Sequence, residues 1–406
     1  MRVLLLSAYD ALSHRYWRQQ LEAQFPNISW TVLALAPRHF SYRVRANPLI
    51  WYSQHRATLA QRFDLVIATS MADVATLRGL VPLLAATPVW LYCHENQFDY
   101  PDSKAQQSEL QRGNRLQAQL VFLYNCLCAS AISFNSNYNK KTALAGLRKL
   151  LDKFPDKFDA ALIKEIELRS DVLPVPLASF DVRQRHAPGE SMGTATSSGK
   201  RQPGLLQLLW NHRWEYDKGP EHLLAFASLL SQSGVPATLH IVGQQFRDKP
   251  RAFDELEKLL DAGQASSPAA LMQAGLASNR PCKLQRGRWG FVENMADYRK
   301  LLMQCDVVIS TALHDFQGLA ILEACAAGCL PLLPNRLVYP EQFDAKWLYS
   351  WHDDPARNAL AMCERLFDIE RQWRDGCEPP QLQQFTWRTL HARYAAKLEA
   401  VSGCSL

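Results

Sequence analysis

The sequence predicts an α/β protein with two Rossmann-like lobes. Short apolar runs alternate with amphipathic stretches of helical length, and this alternation occurs twice along the chain. Strands that are buried on both faces have this apolar character, so each series predicts a parallel sheet. The first-lobe strands are predicted at residues 3–6, 30–35, 65–68, 89–92, 131–134 and 172–175. The second-lobe strands are predicted at residues 205–210, 238–242, 284–287, 307–310, 330–333 and 347–349, with helices such as 220–230 and 295–303 between them.

Two polar segments interrupt these series. Residues 180–204 are rich in Ser, Gly, Pro and charge, which is typical of a linker or a mobile loop. Residues 264–281 are mostly small and polar, which predicts an insertion loop inside the second lobe. We therefore expect a first domain at 1–178, a linker at 179–204 and a second domain at 205–384.

The composition is that of an ordinary globular chain. Of 406 residues, 48% are hydrophobic and 21% are charged, which excludes a disordered protein. No apolar run reaches the roughly 20 residues of a membrane-spanning helix, and the first residues lack the features of a signal peptide. The ten cysteines form no C-x-x-C pair. We therefore expect a reduced, cytoplasmic protein with no zinc site and no membrane partner.

The positive charge is concentrated at one end of the chain. Up to Phe63 there are eight arginines against Asp10 and Glu22, which accounts for the whole net charge of +6. Cations alternate there with aromatic rings, at residues 38–45 and 51–56, a mixture that suits phosphates and unstacked bases. The alternative is a solvated basic face. The candidate RNA-binding side chains are Arg38, Tyr42, Arg43, Arg45 and Arg56.

Polar residues follow the predicted strands, where open α/β lobes bind their ligands. Arg213 and Lys218 follow strand 205–210 on a loop that opens into a helix. Two cations and free helix N–H groups can hold a pyrophosphate without metal. The alternative is that each cation forms a surface ion pair with Glu215 or Asp217.

A single charge, Glu323, lies in the apolar segment that follows Asp315. A lone carboxylate in such a helix needs a partner, and it can accept hydrogen bonds from the hydroxyls of a ribose. Gly318, just before the helix, allows close backbone approach. The alternative is a buried Glu that caps a backbone group.

The third polar group is His94-Glu95-Asn96-Gln97, directly after strand 89–92. His94 and Glu95 can orient a donor phosphate or an acceptor hydroxyl, although a single His at a strand end is as often structural. No G-x-G-x-x-G, P-loop, H-E-x-x-H or G-x-S-x-G motif is present, which disfavours dinucleotide enzymes, P-loop NTPases, zinc proteases and hydrolases. Other polar residues at strand ends are Ser13, His14, Asn135, His314 and Asp315.

Arg213, Lys218 and the pair Asp315-x7-Glu323 with Gly318 between them resemble the nucleotide-sugar site of retaining glycosyltransferases with the GT-B fold. More narrowly, the chain resembles the tRNA-queuosine alpha-mannosyltransferases. The segments that carry this resemblance are His94-Glu95-Asn96-Gln97 with Tyr100-Pro101, Phe134-Asn135-Ser136 with Asn139, Trp210 with His212-Arg213-Trp214-Glu215 and Asp217-Lys218, Ile309-Ser310-Thr311-Ala312 with His314, and Leu337-Val338-Tyr339-Pro340-Glu341.

The resemblance implies a partner and a donor. The acceptor would be the cyclopentenediol of queuosine at the wobble position of tRNA-Asp, and the donor would be GDP-mannose, with retention and with no metal or other cofactor. Arg213 and Lys218 would bind the diphosphate, Glu323 the ribose and Asp315 the mannose hydroxyls. The implied donor site also includes His314, Gly318 and Leu319, the catalytic group is His94, Glu95 and Asp315, and the acceptor side is Ser13, His14, Asn96, Gln97, Asn135 and the basic aromatic side chains named above.

Two positions depart from the family pattern. Asp315 replaces the first Glu of the Glu-x7-Glu pair, and Ala11-Leu12 replaces a Gly-Gly. The resemblance further implies that the last helix, at 385–406, crosses back onto the first lobe.

Two rival functions stay open. An enzyme of the same fold that glycosylates a lipid or envelope precursor predicts an apolar amphipathic patch in place of the arginine-aromatic arm. A non-catalytic RNA-binding protein on this scaffold predicts no hydrolysis of a donor sugar.

Overall fold

The computed structural model describes residues 1–99, 109–159, 161–178, 205–233, 235–245, 249–262 and 284–406. The predicted linker at 179–204, the predicted insertion loop at 264–281 and the Tyr100-Pro101 pair lie outside these residues. Two compact units make up the chain: Met1–Pro176 with Gln383–Leu406, and Leu177–Leu382.

The first unit is built on a six-stranded sheet in the order β2-β1-β3-β4-β5-β6, with every neighbouring pair parallel. Its strands are β1 Arg2–Ser7, β2 Ser29–Ala34, β3 Leu65–Thr69, β4 Val89–Cys93, β5 Ala131–Phe134 and β6 Ser170–Val172. Its helices are α1 Leu12–Gln24, α2 Phe40–Gln54, α3 Arg56–Leu59, α4 Val74–Leu80, α5 Glu109–Cys128, α6 Asn137–Leu151 and α7 Ala161–Leu168, together with the C-terminal helix Trp387–Ser402.

The second unit repeats this plan with the order β12-β11-β10-β7-β8-β9, again parallel throughout. Its strands are β7 Leu206–Trp210, β8 Ala237–Val242, β9 Leu284–Gly290, β10 Val307–Ile309, β11 Leu330–Pro334 and β12 Leu348–Tyr349. Its helices are α8 Pro220–Leu230, α9 Ala252–Ala262, α10 Met295–Gln304, α11 Leu319–Ala326, α12 Tyr339–Gln342 and α13 Pro355–Arg374, so the C-terminal helix is α14.

The fold class predicted from the sequence is confirmed. Among the strands, β6 differs most clearly from its predicted bounds. The strand was expected at residues 172–175 but ends at Val172. Leu173 still donates its backbone N–H to the carbonyl of Phe134 at 2.8 Å, whereas Pro174 has no N–H to continue the ladder. The apolar run therefore extends beyond the paired residues.

The last helix belongs to the first unit, as the fold prediction required. The hydroxyl of Tyr394 on α14 accepts the indole N–H of Trp17 at 3.0 Å and donates to the carbonyl of Pro174 at 3.0 Å. The Trp17 ring also stacks on Tyr92 with centroids 4.2 Å apart, and all three rings are fully buried. Burial of such large rings stabilises the attachment of α14 to α1 and β4.

Among the described residues, no helix combines the length and the apolar character needed to cross a membrane.

Candidate functional site

The topology of the second unit brings two of the predicted polar groups together. From β7 the chain runs outward to β8 and β9, and it then returns to place β10 on the other side of β7. The ends of β7 and β10 therefore flank the point where the strand order reverses, which is the usual ligand position in an open α/β sheet. Arg213 and Lys218 follow β7, and His314 and Asp315 follow β10.

A tight turn presses the β7 loop against the end of β10. Gly219 ends the 3-10 turn Tyr216–Lys218 with a φ of +63°, and a Cβ at this position would lie 2.1 Å from the carbonyl oxygen of Thr311. Only glycine fits this approach. The hydroxyl of Thr311 donates to the carbonyl of Lys218 at 2.8 Å, and the Asp217 carbonyl accepts the backbone N–H groups of residues 313 and 314 at 2.9 and 3.2 Å. These bonds fix the two loops relative to each other.

Lys218 lies in the centre of the resulting charge cluster. Its Nζ donates to the carbonyl of His314 at 2.6 Å, and it lies 3.4 Å from Asp217 Oδ2 and 3.9 Å from Asp315 Oδ2. The Lys218 side chain is 9% exposed and that of Asp217 is 0% exposed. A buried charge with this many partners is held in one position.

Arg213 occupies the outer side of the cluster. Its guanidinium lies 2.6 Å from Glu215 Oε2 and 3.5 Å from Asp217 Oδ2, and its side chain is 41% exposed. The alternative that Arg213 pairs with Glu215 or Asp217 is therefore what the structure shows, although these pairs leave much of the guanidinium accessible. Arg213 and Lys218 nevertheless lie on one loop and share Asp217 as a partner.

The charges of the cluster follow from its burial and its cations. Burial alone would raise the pKa of Asp315, but Lys218 and its other neighbours bring that pKa below its usual value. The same balance, with Lys218 and then Arg213, lowers the pKa of Asp217. Burial, reinforced by Lys218, lowers the pKa of both His212 and His314 to about 4. At neutral pH both carboxylates are ionised and both imidazoles are neutral.

Glu323 lies within α11, whose first turn carries Leu319. Gly318 caps this helix with a φ of +65°. The Glu323 side chain lies on the half-buried side of α11, whereas Ile321 and Leu322 face the core. Burial raises the pKa of Glu323 to about 7, with only a partial opposing effect from Arg299. The charge of Glu323 therefore changes near neutral pH, whereas Asp217 and Asp315 stay ionised there.

The first unit gathers a second set of predicted residues at the end of β4. The rings of His94 and His14 lie 4.2 Å apart between centroids, and His14 Nε2 lies 3.8 Å from Glu95 Oε1. Trp17 contacts the His94 ring edge-on at 5.0 Å. Burial, and then the neighbouring His14, holds the pKa of His94 well below its ordinary value. His94 is thus a neutral ring, and its Nε2 has no hydrogen-bond partner among the described residues.

The amides near this cluster order the loop that carries it. Asn96 Nδ2 donates to Asn139 Oδ1 at 2.9 Å, and Asn96 Oδ1 accepts the backbone N–H of Phe98 at 2.9 Å. Asn135 Nδ2 donates to the carbonyl of His94 at 2.8 Å. The carbonyl of Gln97 accepts from Gln119 at 3.1 Å. By contrast, Ser13 in the first turn of α1 is exposed.

The basic aromatic stretch forms α2 and the residues on either side of it. Arg38, Tyr42, Arg45 and Arg56 are exposed, and Tyr42 is 79% exposed. Tyr42 and Arg45 are three residues apart on α2, which places them on one face of that helix, whereas Arg38 precedes α2 and Arg56 begins α3. Arg56 lies over the Tyr52 ring, at 4.6 Å from its centroid.

Not every member of this stretch faces solvent. Trp51, which was expected to alternate with the cations as a flat surface ring, is fully buried in the core of the unit, so that part of the interpretation is wrong. Arg43 is half-buried. Arg45 lies 2.7 Å from Asp73, which caps the start of α4, so its charge is partly balanced within the protein.

Two residues of the charge cluster were not predicted as site residues. Asp217 was considered only as a surface partner, yet it is fully buried and joins Arg213, Lys218 and the β10 loop. Tyr339, at the start of α12, donates its hydroxyl to Asp315 Oδ2 at 3.1 Å. The position of Tyr339 after β11, which is adjacent to β10, was the available signal.

Solved structures identify the class of fold. The Anabaena protein HepE in complex with UDP and glucose is 15% identical to it with a TM-score of 0.58, and the match covers 98% of this chain and 100% of that chain. Sucrose-phosphate synthase from Thermosynechococcus elongatus is 13% identical with a TM-score of 0.59 and full coverage of both chains. At these identities the likeness concerns the fold, and the chain has the GT-B fold of glycosyltransferases.

The family is established by sequence. Residues 2–177 match the family model described as tRNA-queuosine alpha-mannosyltransferase N-terminal. The tRNA-queuosine alpha-mannosyltransferase of Drosophila melanogaster is 30% identical over 378 residues, which are 92% of this chain and 89% of that protein. The chain belongs to the tRNA-queuosine alpha-mannosyltransferase family, which confirms the resemblance and the prediction of an enzyme.

Proposed function

We propose that this protein transfers mannose from GDP-mannose, with retention of configuration, to the cyclopentenediol of queuosine at the wobble position of tRNA-Asp. The observation that carries this proposal is the family relationship over 92% of the chain, whose fly member is named a tRNA-queuosine alpha-mannosyltransferase. The charge cluster at the ends of β7 and β10 supplies the chemistry that such a donor requires.

The second unit would bind the donor. The exposed guanidinium of Arg213 offers a donor fork to the diphosphate, and Lys218 behind it supplies a fixed positive charge. The free N–H groups at the start of α11, after Gly318 and at Leu319, add donors on the same side. These groups meet the charge of the departing GDP without a metal ion, as preorganised electrostatics.

Two carboxylates would read the hydroxyls of the donor. Ionised Asp315, followed by Gly318 at the start of α11, suits the mannose hydroxyls, and Glu323 farther along the helix suits the ribose. The neutral ring of His314, which lies against Asp217, lines the same cluster.

The first unit would bind the acceptor. His94 is a neutral imidazole with an unengaged Nε2 among the described residues, and the half-exposed Glu95 lies next to it in sequence. Both can orient a hydroxyl of the cyclopentenediol. His14 completes this cluster, and Ser13 at the exposed start of α1 adds a hydroxyl near it. Asn96, Gln97 and Asn135 would act by holding the loop that carries His94.

The exposed side chains of α2 and of the residues on either side of it would contact the tRNA. Arg38 and Arg56 suit phosphates, and the exposed ring of Tyr42 suits stacking on a base. Arg43 and Arg45 would contribute less, because one is half-buried and the other pairs with Asp73. We take this polar, cationic character as support for an RNA acceptor over a lipid one.

The proposal is tested by the mass of the product nucleoside. The protein is incubated in EDTA with tRNA-Asp that contains queuosine and with GDP-mannose, UDP-glucose or no donor, and the tRNA is digested to nucleosides. A gain of one hexose on queuosine, with GDP-mannose alone, is expected. Transfer from the UDP-sugar in preference would overturn the donor, and activity that requires an added metal ion would overturn the metal-free mechanism.

A further inference from the structure

Both oxygens of the Asp315 carboxylate are held by the protein. Oδ1 accepts the backbone N–H of Gly318 at 2.9 Å, and Oδ2 accepts the hydroxyl of Tyr339 at 3.1 Å. Gly318 belongs to the same loop as Asp315, but Tyr339 begins α12, after the neighbouring strand β11. The tyrosine therefore ties the carboxylate to a second, independent part of the sheet edge.

The direction of this hydrogen bond is set by its neighbours. Ionised Asp315 can only accept, so the single hydroxyl proton of Tyr339 goes to the carboxylate. The contact of 2.7 Å between Ser310 Oγ and the Tyr339 hydroxyl then has Ser310 as the donor, and Ser310 Oγ in turn accepts the backbone N–H of Ala312 at 3.3 Å. Hydrogen bonds that point the same way along a chain strengthen one another.

Gly318 makes room for the tyrosine. Its φ is +65°, and a Cβ there would lie 3.0 Å from Tyr339 Cε1. The group that lies against Gly318 is therefore the ring of Tyr339. The ring is fully buried, so its hydroxyl is fixed in place.

We propose that Tyr339 is the positioning residue for the sugar-binding carboxylate. A carboxylate offers about four acceptor positions, and Gly318 and Tyr339 take one on each oxygen. The remaining acceptor positions of the carboxylate therefore point in fixed directions. The Asp315 side chain is still 16% exposed. This inference rests on the proposed function in one respect, namely that Asp315 binds the hydroxyls of the transferred sugar.

The test compares two buried tyrosines of the same unit. Tyr339→Phe removes the hydroxyl that reaches Asp315. Tyr349→Phe is the matched control, because the Tyr349 hydroxyl donates to the backbone carbonyl of Ser310 at 2.9 Å and not to the carboxylate. Two quantities are measured: kcat for mannose transfer to queuosine-containing tRNA, and the calorimetric Kd values of GDP and GDP-mannose.

Tyr339→Phe should lower kcat on the order of tenfold, the scale of one hydrogen bond to a charged group. Tyr339→Phe should also weaken the binding of GDP-mannose relative to that of GDP, and the Kd of GDP should stay unchanged. Tyr349→Phe should leave these values near those of the wild type. An unaffected Tyr339→Phe, or an equal loss in Tyr349→Phe, would overturn the proposal.

Two further arms keep the test decisive. If Tyr339→Phe does not fold, Ser310→Ala removes the donor to Tyr339 and should show the same pattern at smaller size, whereas wild-type behaviour of Ser310→Ala would overturn the proposal. If the wild type transfers no mannose but Tyr339→Phe still reduces the sugar's share of donor affinity, the proposed function fails and the positioning role stands. If the wild type transfers mannose and Tyr339→Phe has the same kcat and Kd values, the proposed function stands and the positioning role fails.

Discussion

Replacement by alanine should have different effects on stability at Arg213 and at Lys218. The Arg213 side chain is 41% exposed and pairs with the half-exposed Glu215, and exposed ion pairs contribute about 0–1 kcal/mol. Arg213→Ala should therefore lower the free energy of unfolding by less than about 1 kcal/mol. Lys218 faces the buried Asp217 and the largely buried Asp315. Its loss leaves buried charge without its partner, which costs about 3–5 kcal/mol.

The effect on GDP binding should be easier to measure for Arg213→Ala than for Lys218→Ala. Arg213→Ala should remain folded and lose about 1.5–3 kcal/mol of GDP binding, the contribution of charge-assisted hydrogen bonds. At 1.4 kcal/mol for each factor of ten, this is a loss of roughly 10- to 150-fold in Kd. Lys218→Ala should show its effect first in stability, so its Kd is interpretable only at temperatures where it remains folded.

Urea unfolding gives the two stabilities, and titration calorimetry with GDP in EDTA gives the affinities. Glu215→Gln serves as a matched variant, because it removes the carboxylate that competes for Arg213 and should tighten GDP binding by up to about fivefold. An Arg213→Ala variant that binds GDP like the wild type would refute the diphosphate assignment. A Lys218→Ala variant as stable as Arg213→Ala would refute the account of the buried cluster.

Three further predictions concern separate parts of the molecule. Burial raises the pKa of Glu323 to about 7, and the ionised form is the better hydrogen-bond acceptor. GDP affinity should therefore rise with pH through about 7 in the wild type, and Glu323→Gln should lack that rise. Identical pH profiles of the two proteins by calorimetry would contradict the ribose assignment. Asp217→Asn should lower the free energy of unfolding by about 3 kcal/mol, whereas the exposed Asp254→Asn should change it by less than about 1 kcal/mol in the same urea titration; equal effects would show that burial of Asp217 does not matter. The double variant Arg38→Ala with Arg56→Ala should flatten the plot of log tRNA affinity against log salt by the equivalent of about two phosphates, and a double alanine variant at the last two arginines of α13 should not; an unchanged slope would place the RNA elsewhere.

The proximity of Lys218 and Asp315 could be predicted from the sequence, because one rule of sheet topology sufficed. Lys218 and Asp315 are distant in sequence, but each follows a recognisable apolar strand. Parallel strands end at the same edge of a sheet, and the return of the chain to β10 makes the two strands neighbours. The residue types then indicated the chemistry.

Side-chain partners could not be predicted in this way. The sequence does not reveal that Asp217 is fully buried, because this depends on the tight turn at Gly219 and its contact with Thr311. The sequence likewise does not reveal that the Trp51 side chain points into the core. Trp51 lies between Ile50 and Tyr52, so its neighbours in sequence do not distinguish a surface ring from a core ring, and only the helical phase of α2 turns it into the core.

The central claim is that the acceptor is the cyclopentenediol of queuosine, and a boronate gel tests it most directly. A free cis-diol binds boronate, so tRNA-Asp that contains queuosine is retarded, and a sugar on one of the hydroxyls abolishes the retardation. After incubation with this protein and GDP-mannose, we predict loss of the boronate shift in wild-type reactions and its retention with Arg213→Ala at low donor concentration. A wild-type protein that leaves the shift intact at saturating donor, or that transfers hexose equally well to tRNA-Asp lacking queuosine, would contradict the claim.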